Sequence, residues 1–306
     1  MSQTTAIPSL PLDTQPKKPP AKWRKYFWGY AFLAPALVVF ALFLWLPIGK
    51  GIYLSFFHVD PVKGNLFVGW DNYNRIFDDP DVGKSARNTL YYMGLGVLIG
   101  FWVPIVFALA ISEMRKLQGF ARAAAYLPYV VPLVVLYGLW RWLYDPVGPL
   151  NSFLSWFGID PILFLTDTKW SMISIVIMET WQSFGSALLI YIAAISSIPR
   201  DMYEAAEIDG AGIWKRIRYI TLPAIKTQIV LLFLLQLIAT SQGFQSQKAL
   251  LDGGPNNATL TYALHVVNYA FKNFDTGTAS AMGVLMFLVL CLLAVIQYRL
   301  SNKKEA

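Results

Sequence analysis

Long uncharged apolar runs alternate with polar segments along this chain. Six of the runs approach the roughly 20 residues that a helix needs to cross a hydrocarbon core: 26–49, 88–112, 123–144, 170–199, 227–247 and 276–298. The third reaches its full length only if Arg141 snorkels toward the water interface. The fourth carries a single charge, Glu179. The first run is too long for a signal-peptide core and further runs follow it, so it is read as retained. The pattern predicts an all-α integral membrane protein of six transmembrane helices over residues 26–300. Flanking it are a flexible, proline-rich tail at 1–25 and a short tail at 301–306.

Composition agrees with a membrane chain. Only 14% of residues are charged and 56% are hydrophobic, whereas a soluble domain carries about 25% charged residues. The net charge of +7 changes the picture only through its distribution. With six spans, 16 of the 25 Lys and Arg fall on the side that holds both termini. Lys and Arg collect on cytoplasmic loops, so both termini are placed in the cytoplasm and the charge reads as topological. Nucleic acid is not an expected partner; membrane lipid is. The single cysteine, Cys291, excludes a disulfide framework and a Cys-based zinc site.

One polar stretch stands apart. The longest cytoplasmic loop, 200–226, contains "YEAAEIDGAGIWKRIRYITLP" from Tyr203 to Pro223. Pro199 suits a helix start, and Asp201 and Glu204 would sit where the helix dipole favours negative charge. Gly210 is placed to end that helix, because glycine reaches the left-handed region at little steric cost. Met202, Ala205, Ala206 and Asp209 share one face, and the two alanines keep it thin. A second short helix is expected from Ile213, with Ile213, Trp214, Ile217 and Ile220 as its apolar stripe and Lys215, Arg216 and Arg218 projecting elsewhere. Leu222-Pro223 is expected to end it and begin the fifth span. An amphipathic helix on the inner leaflet is the competing reading, but an acidic first helix would be repelled by anionic lipid.

Glu204-Ala205-Ala206, Asp209-Gly210-Ala211 and Ile220-Thr221-Leu222-Pro223 resemble the EAA loop of binding-protein-dependent ABC importer permeases. Ile217 and Thr227 depart from that pattern, without touching its helix–glycine–helix layout. "VGWDNYNRIF", "NTLYY", "SSIPRDMYEAA" and "DGGPNNATLTYALHVVNYAF" are similar to the sugar-type members. The resemblance implies a type I importer permease bundle in a bacterial or archaeal inner membrane, with a cytoplasmic coupling helix. It also implies a second homologous permease, a dimer of ATP-binding subunits and an extracytoplasmic solute-binding protein. In that family the loop docks on the ATPase.

The chain itself offers no phosphate-cradling P-loop, and no catalytic, metal or cofactor site is expected. Two alternatives stay open: a self-sufficient secondary transporter, and an integral membrane enzyme using acids such as Asp60, Asp71, Asp78, Asp79 or Asp81. Within the membrane, Glu179 is the candidate of most interest, since a carboxylate facing lipid costs on the order of 3 kcal/mol. With Gln182, Ser183 and Ser186 on its helical neighbourhood, and Gln236 from the fifth span, it is read as lining a translocation path. An interhelical hydrogen bond is the alternative role.

Overall fold

The computed structural model describes residues 22–302 except 61 and 115. Most of the tail expected at 1–25 and the final residues 303–306 lie outside the described residues. The chain divides into two units, residues 1–50 and 51–306.

The first unit holds α1 (Lys22–Phe40), followed by a π-helical turn at Ala41–Trp45 and the start of α2 (Leu46–Leu54). Phe32, Phe43 and Trp45 are among its exposed apolar side chains, as expected of a helix whose solvent is hydrocarbon. Gly29–Leu54 is long and apolar enough to cross a membrane, as are Pro80–Ser112, Ser171–Ser196 and Thr276–Val295. Two further helix pairs pass the same test but are sharply bent, so the described residues supply four spans, or six when each pair counts as one.

The second unit opens with a hairpin that the sequence pattern did not suggest. β1 (Phe57–Asp60) pairs antiparallel with β2 (Gly64–Phe67). Its turn is made by the Asp60 carboxylate, which accepts from the Val62 and Lys63 amides at 2.8 and 3.0 Å. There follow α3 (Asp71–Asp78), α4 (Pro80–Leu95), a π turn at Gly96–Gly100 and α5 (Trp102–Ser112). The helix thus starts eight residues before the expected 88. Asp79 caps it, accepting from the Asp81 amide at 2.8 Å, with Pro80 in the first turn, where a proline loses no helical bond.

The expected 123–144 span is not one helix. α6 (Gln118–Val130) and α7 (Leu133–Leu143) meet at 97°. The cause is Pro132, which donates no amide proton and pushes Val131 into extended backbone (φ −67°, ψ 131°). The helix does run past Arg141, whose Nη2 donates to the Leu250 carbonyl at 2.8 Å.

After α8 (Pro149–Ser155) comes α9 (Ser171–Ser196), the helix on which α5 and α6 both pack. Gly185 makes the second contact close: a Cβ there would run into the Ala125 carbonyl and the Tyr126 backbone. Two apolar clusters lie along α9. Ile175 and Met178 join Tyr92, Leu136 and Trp140 toward its N-terminal end. Leu188, Tyr191 and Ile192 join Phe101, Ile105 and Ile225 toward its C-terminal end.

The segment after α9 comprises α10 (Arg200–Ile208), α11 (Ile213–Arg216), a π turn at Ile217–Thr221 and α12 (Leu222–Ala224), leading to α13 (Lys226–Ser241). The fifth expected span, 227–247, is broken at Gln242–Phe244, and α14 (Gln245–Leu251) is a separate helix. Finally α15 (Tyr262–Phe271) packs on α16 (Thr276–Asn302), whose buried Ala281 and Met282 meet Tyr73 and Ile76 of α3.

Candidate functional site

Between the two clusters on α9 the helices leave a cavity of about 460 Å³. Glu179, Gln182 and Ser183 reach it from α9, and Gln236 from α13. All four residues that the sequence nominated for a path therefore line one space, together with Ser186 and Gln245. Gln242, the C-cap of α13, is absent from the lining. Glu179 stands eight residues into α9, about 12 Å from its N-terminal end at 1.5 Å per residue.

Two of the long polar groups, Glu179 and Gln236, are held. The Tyr92 hydroxyl donates to Glu179 Oε2, joining α4 to α9. Gln236 Nε2 donates to the Gly96 carbonyl at 2.7 Å. The π turn frees that acceptor's neighbourhood: the Phe101 amide bonds Gly96 O at 2.9 Å in an i→i+5 closure. π turns inside α-helices recur at functional positions, and this one walls the cavity. Tyr92, Thr180, Thr240 and Ser246 complete its polar rim. Sequence reading missed them because their partners lie on other helices; "NTLYY" was the one available signal. Tyr137, Phe101 and Phe184 supply ring surface. The combination of neutral donors, one carboxylate and aromatic faces suits a hydroxyl-rich solute better than a strongly charged one.

In the 200–226 loop, α10 carries no buried residue. Glu204, Ala205 and Asp209 are exposed, with Ala206 and Ala211 half-buried. Gly210 takes φ +72°. Its amide bonds Glu207 O at 3.0 Å and the Ala211 amide bonds Ala206 O at 2.8 Å, a complete Schellman stop. The helix–glycine–helix layout is therefore present as an exposed corner. Tyr203 OH and Thr221 Oγ1, 2.9 Å apart, close it from within.

Two expectations for the second half need correction. Leu222-Pro223 does not end the helix. Ile213–Ala224 runs through it and bends by 67° against Lys226–Ser241 only at Ile225. The preceding π turn, in which the Leu222 amide bonds Ile217 O, lets the helix reach a residue with no amide to donate. Ile220 and Leu222 are half-buried and Pro223 exposed. Nor does Arg216 project away: it pairs with Glu207 on α10 and, at 3.3 Å, with Glu113 at the end of α5. Lys215 and Arg218 are exposed, and Trp214 is 80% exposed.

Asp60, Asp71, Asp79 and Asp81 have structural partners. Asp79 caps α4 and accepts from Tyr269 OH at 2.7 Å, with His265 Nε2 at 3.4 Å. Burial pushes the His265 imidazole below its usual range, against the pull of Asp79 and Asp81. Asp71 pairs with Arg75, and Asp81 accepts from Asn257. Lys84 and Asn88 donate to the Asn256 and Asn257 carbonyls, pinning the "DGGPNN" loop to the head of α4.

The model of the family "Binding-protein-dependent transport system inner membrane component" matches residues 95–305, and the chain belongs to that family. It is 31% identical, over 89% of its length and 81% of the relative's, to the diacetylchitobiose uptake system permease protein NgcF of Streptomyces coelicolor. It is 30% identical, over 89% and 90% of the two chains, to the sulfoquinovosyl glycerol transport system permease protein SmoG of Agrobacterium fabrum. The trehalose/maltose transport system permease protein MalF of Thermococcus litoralis is 29% identical over 92% and 96%. Among solved structures, a chain of a bacterial ABC transporter that imports alginate superposes with a TM-score of 0.81 at 27% identity, covering 92% of this chain and 97% of that one. The fold is that of a type I ABC importer permease, and the chain is a multi-pass membrane transport subunit.

Proposed function

We propose that this chain forms half of the translocation path for a sugar or related polyol, and that a separate ATPase drives it through the 200–226 loop. The observation that carries the reading is the single cavity shared by Glu179, Gln182, Ser183 and Gln236. Neutral hydrogen-bonding groups with aromatic faces match hydroxyl-bearing solutes, and several relatives are named for carbohydrates. The exposed α10 corner, with Glu204, Ala205, Ala206, Asp209, Gly210 and Ala211, is the docking element for the ATPase. Ile220, Leu222 and Pro223 anchor it to the fifth span. A second, homologous permease completes the path, a pair of ATP-binding subunits supplies the closure, and an extracytoplasmic binding protein delivers the solute. Both termini lie in the cytoplasm.

The test is uptake into proteoliposomes holding this chain with the second permease, ATPase and binding protein encoded beside it. ATP-dependent accumulation of a labelled di- or oligosaccharide, changed by Glu179→Gln and abolished without the ATPase, is expected. Accumulation by this chain alone under an ion gradient would overturn the reading, as would transport of amino acids but no carbohydrate.

A further inference from the structure

A second cavity, of about 630 Å³, lies where the inner ends of α5 and α9 meet α6 and the 200–226 loop. Three arginines from three elements reach it: Arg122 on α6, Arg200 on α10 and Arg216 on α11. Two carboxylates also reach it, Glu113 and Glu207, and both are engaged by Arg216. The side chains of Arg122 and Arg200 make no ion pair or hydrogen bond among the described residues. The Nε groups of Arg122 and Arg216 are closed off from solvent and have no acceptor.

Buried charged donors without an acceptor are costly, and native structures almost always supply one. A guanidinium fork is matched best by an oxyanion, and a phosphoryl group offers acceptor oxygens in several directions at once. The cavity exceeds the size of bare phosphate, leaving room for a polar substituent. We propose that this cavity is a binding site for a phosphorylated polar group, held by Arg122 and Arg200 and completed by Arg216. Its cytoplasmic placement rests on the topology proposed above. The phosphoryl group comes either from an anionic lipid headgroup of the inner leaflet or from a soluble phosphate ester. Either one would tie α6 to the loop that carries α10, so occupancy stiffens the corner offered to the ATPase.

The test uses the assembled transporter in nanodiscs, reading hydrogen exchange locally at 118–125 and 200–208. In phosphatidylcholine alone, protection of these segments by inorganic phosphate identifies a soluble source. Arg122→Gln should weaken that response about tenfold or more. With equal parts phosphatidylglycerol, retention of that lipid in native mass spectrometry by the wild type, lost in Arg122→Gln, identifies the lipid source. If Arg122→Gln fails to assemble, Ser196→Phe, which fills the cavity and leaves every arginine in place, must lose the same binding. A wild type that neither responds to phosphate nor holds phosphatidylglycerol better than the variants overturns the proposal.

Discussion

The Tyr92 hydroxyl donates to the Glu179 carboxylate across 87 residues of sequence, joining α4 to α9 at the wall of the polar cavity. The carboxylate is therefore both an interhelical acceptor and a lining group, and the two roles separate by mutation. Glu179→Gln keeps an acceptor for Tyr92 and should preserve assembly while changing uptake. Tyr92→Phe removes one of the donors to the carboxylate, at roughly 1–3 kcal/mol. A lower melting temperature is expected for Tyr92→Phe than for Glu179→Gln, with altered transport in both. A thiol label at position 179 that reports lipid in the assembled complex would contradict the enclosed placement.

A tighter steric claim concerns Gly185. A Cβ there meets the Ala125 carbonyl and the Tyr126 backbone, and backbone cannot step aside as a side-chain tip does. Overpacking of this kind costs about 1–3 kcal/mol or more. Gly185→Val should lose folded protein at the membrane, whereas Gly138→Val, with open space at its Cβ, should not. Detergent-extracted yield and melting temperature measured on both variants decide it.

Much of this was readable beforehand because bilayer thickness acts residue by residue on the chain: uncharged runs of sufficient length became helices. What escaped has a physical pattern. Hydropathy averages over Pro132, so one apolar run hid two helices at 97°. π turns such as Gly96–Gly100 depend on packing and carry no composition of their own. The cavity's lining on α9 was legible from i, i+3, i+4 spacing around Glu179. Its donor, Tyr92, was not, since nothing local marks a contact between distant helices. Arg216 looked like one of three surface cations, and only the fold brings Glu113 to it.

His265 of α15 is buried beside Asp79, and its pKa is depressed by that burial. The unfolded chain therefore takes up a proton at higher pH than the folded one. Stability from this group is full above the unfolded value of about 6.5, falls as pH drops below it, and levels off below the depressed folded value. Melting temperature should decline over that window, and hydrogen exchange at 262–271 should rise with it. His265→Gln should flatten both. An unchanged pH profile in the variant would show that another group carries the effect.

The sharpest prediction concerns the corner at Gly210. Its φ of +72° is a conformation where a β-branched residue is strongly disfavoured, by roughly 1–2 kcal/mol or more. Open space surrounds its Cβ position, so Gly210→Val acts through the backbone alone and leaves the spans untouched. The Schellman bonds from Gly210 and Ala211 would shift, and the Ala205–Ala206 surface would turn away from its partner. Membrane levels should stay normal while ATPase retention and uptake fall. Ala206→Trp should do the same by thickening the face, and Glu204→Lys by reversing the charge offered to the partner, since Glu204 sits mid-helix and only Asp201 falls in the first turn of α10. A membrane-surface helix makes the opposite forecast, in which neutralising Lys215 and Arg218 does the damage and Gly210→Val is mild. Arg216 belongs in neither set, because its pairs with Glu113 and Glu207 hold the loop itself. Full uptake and full ATPase co-purification by both Gly210→Val and Ala206→Trp would remove the corner from the coupling path.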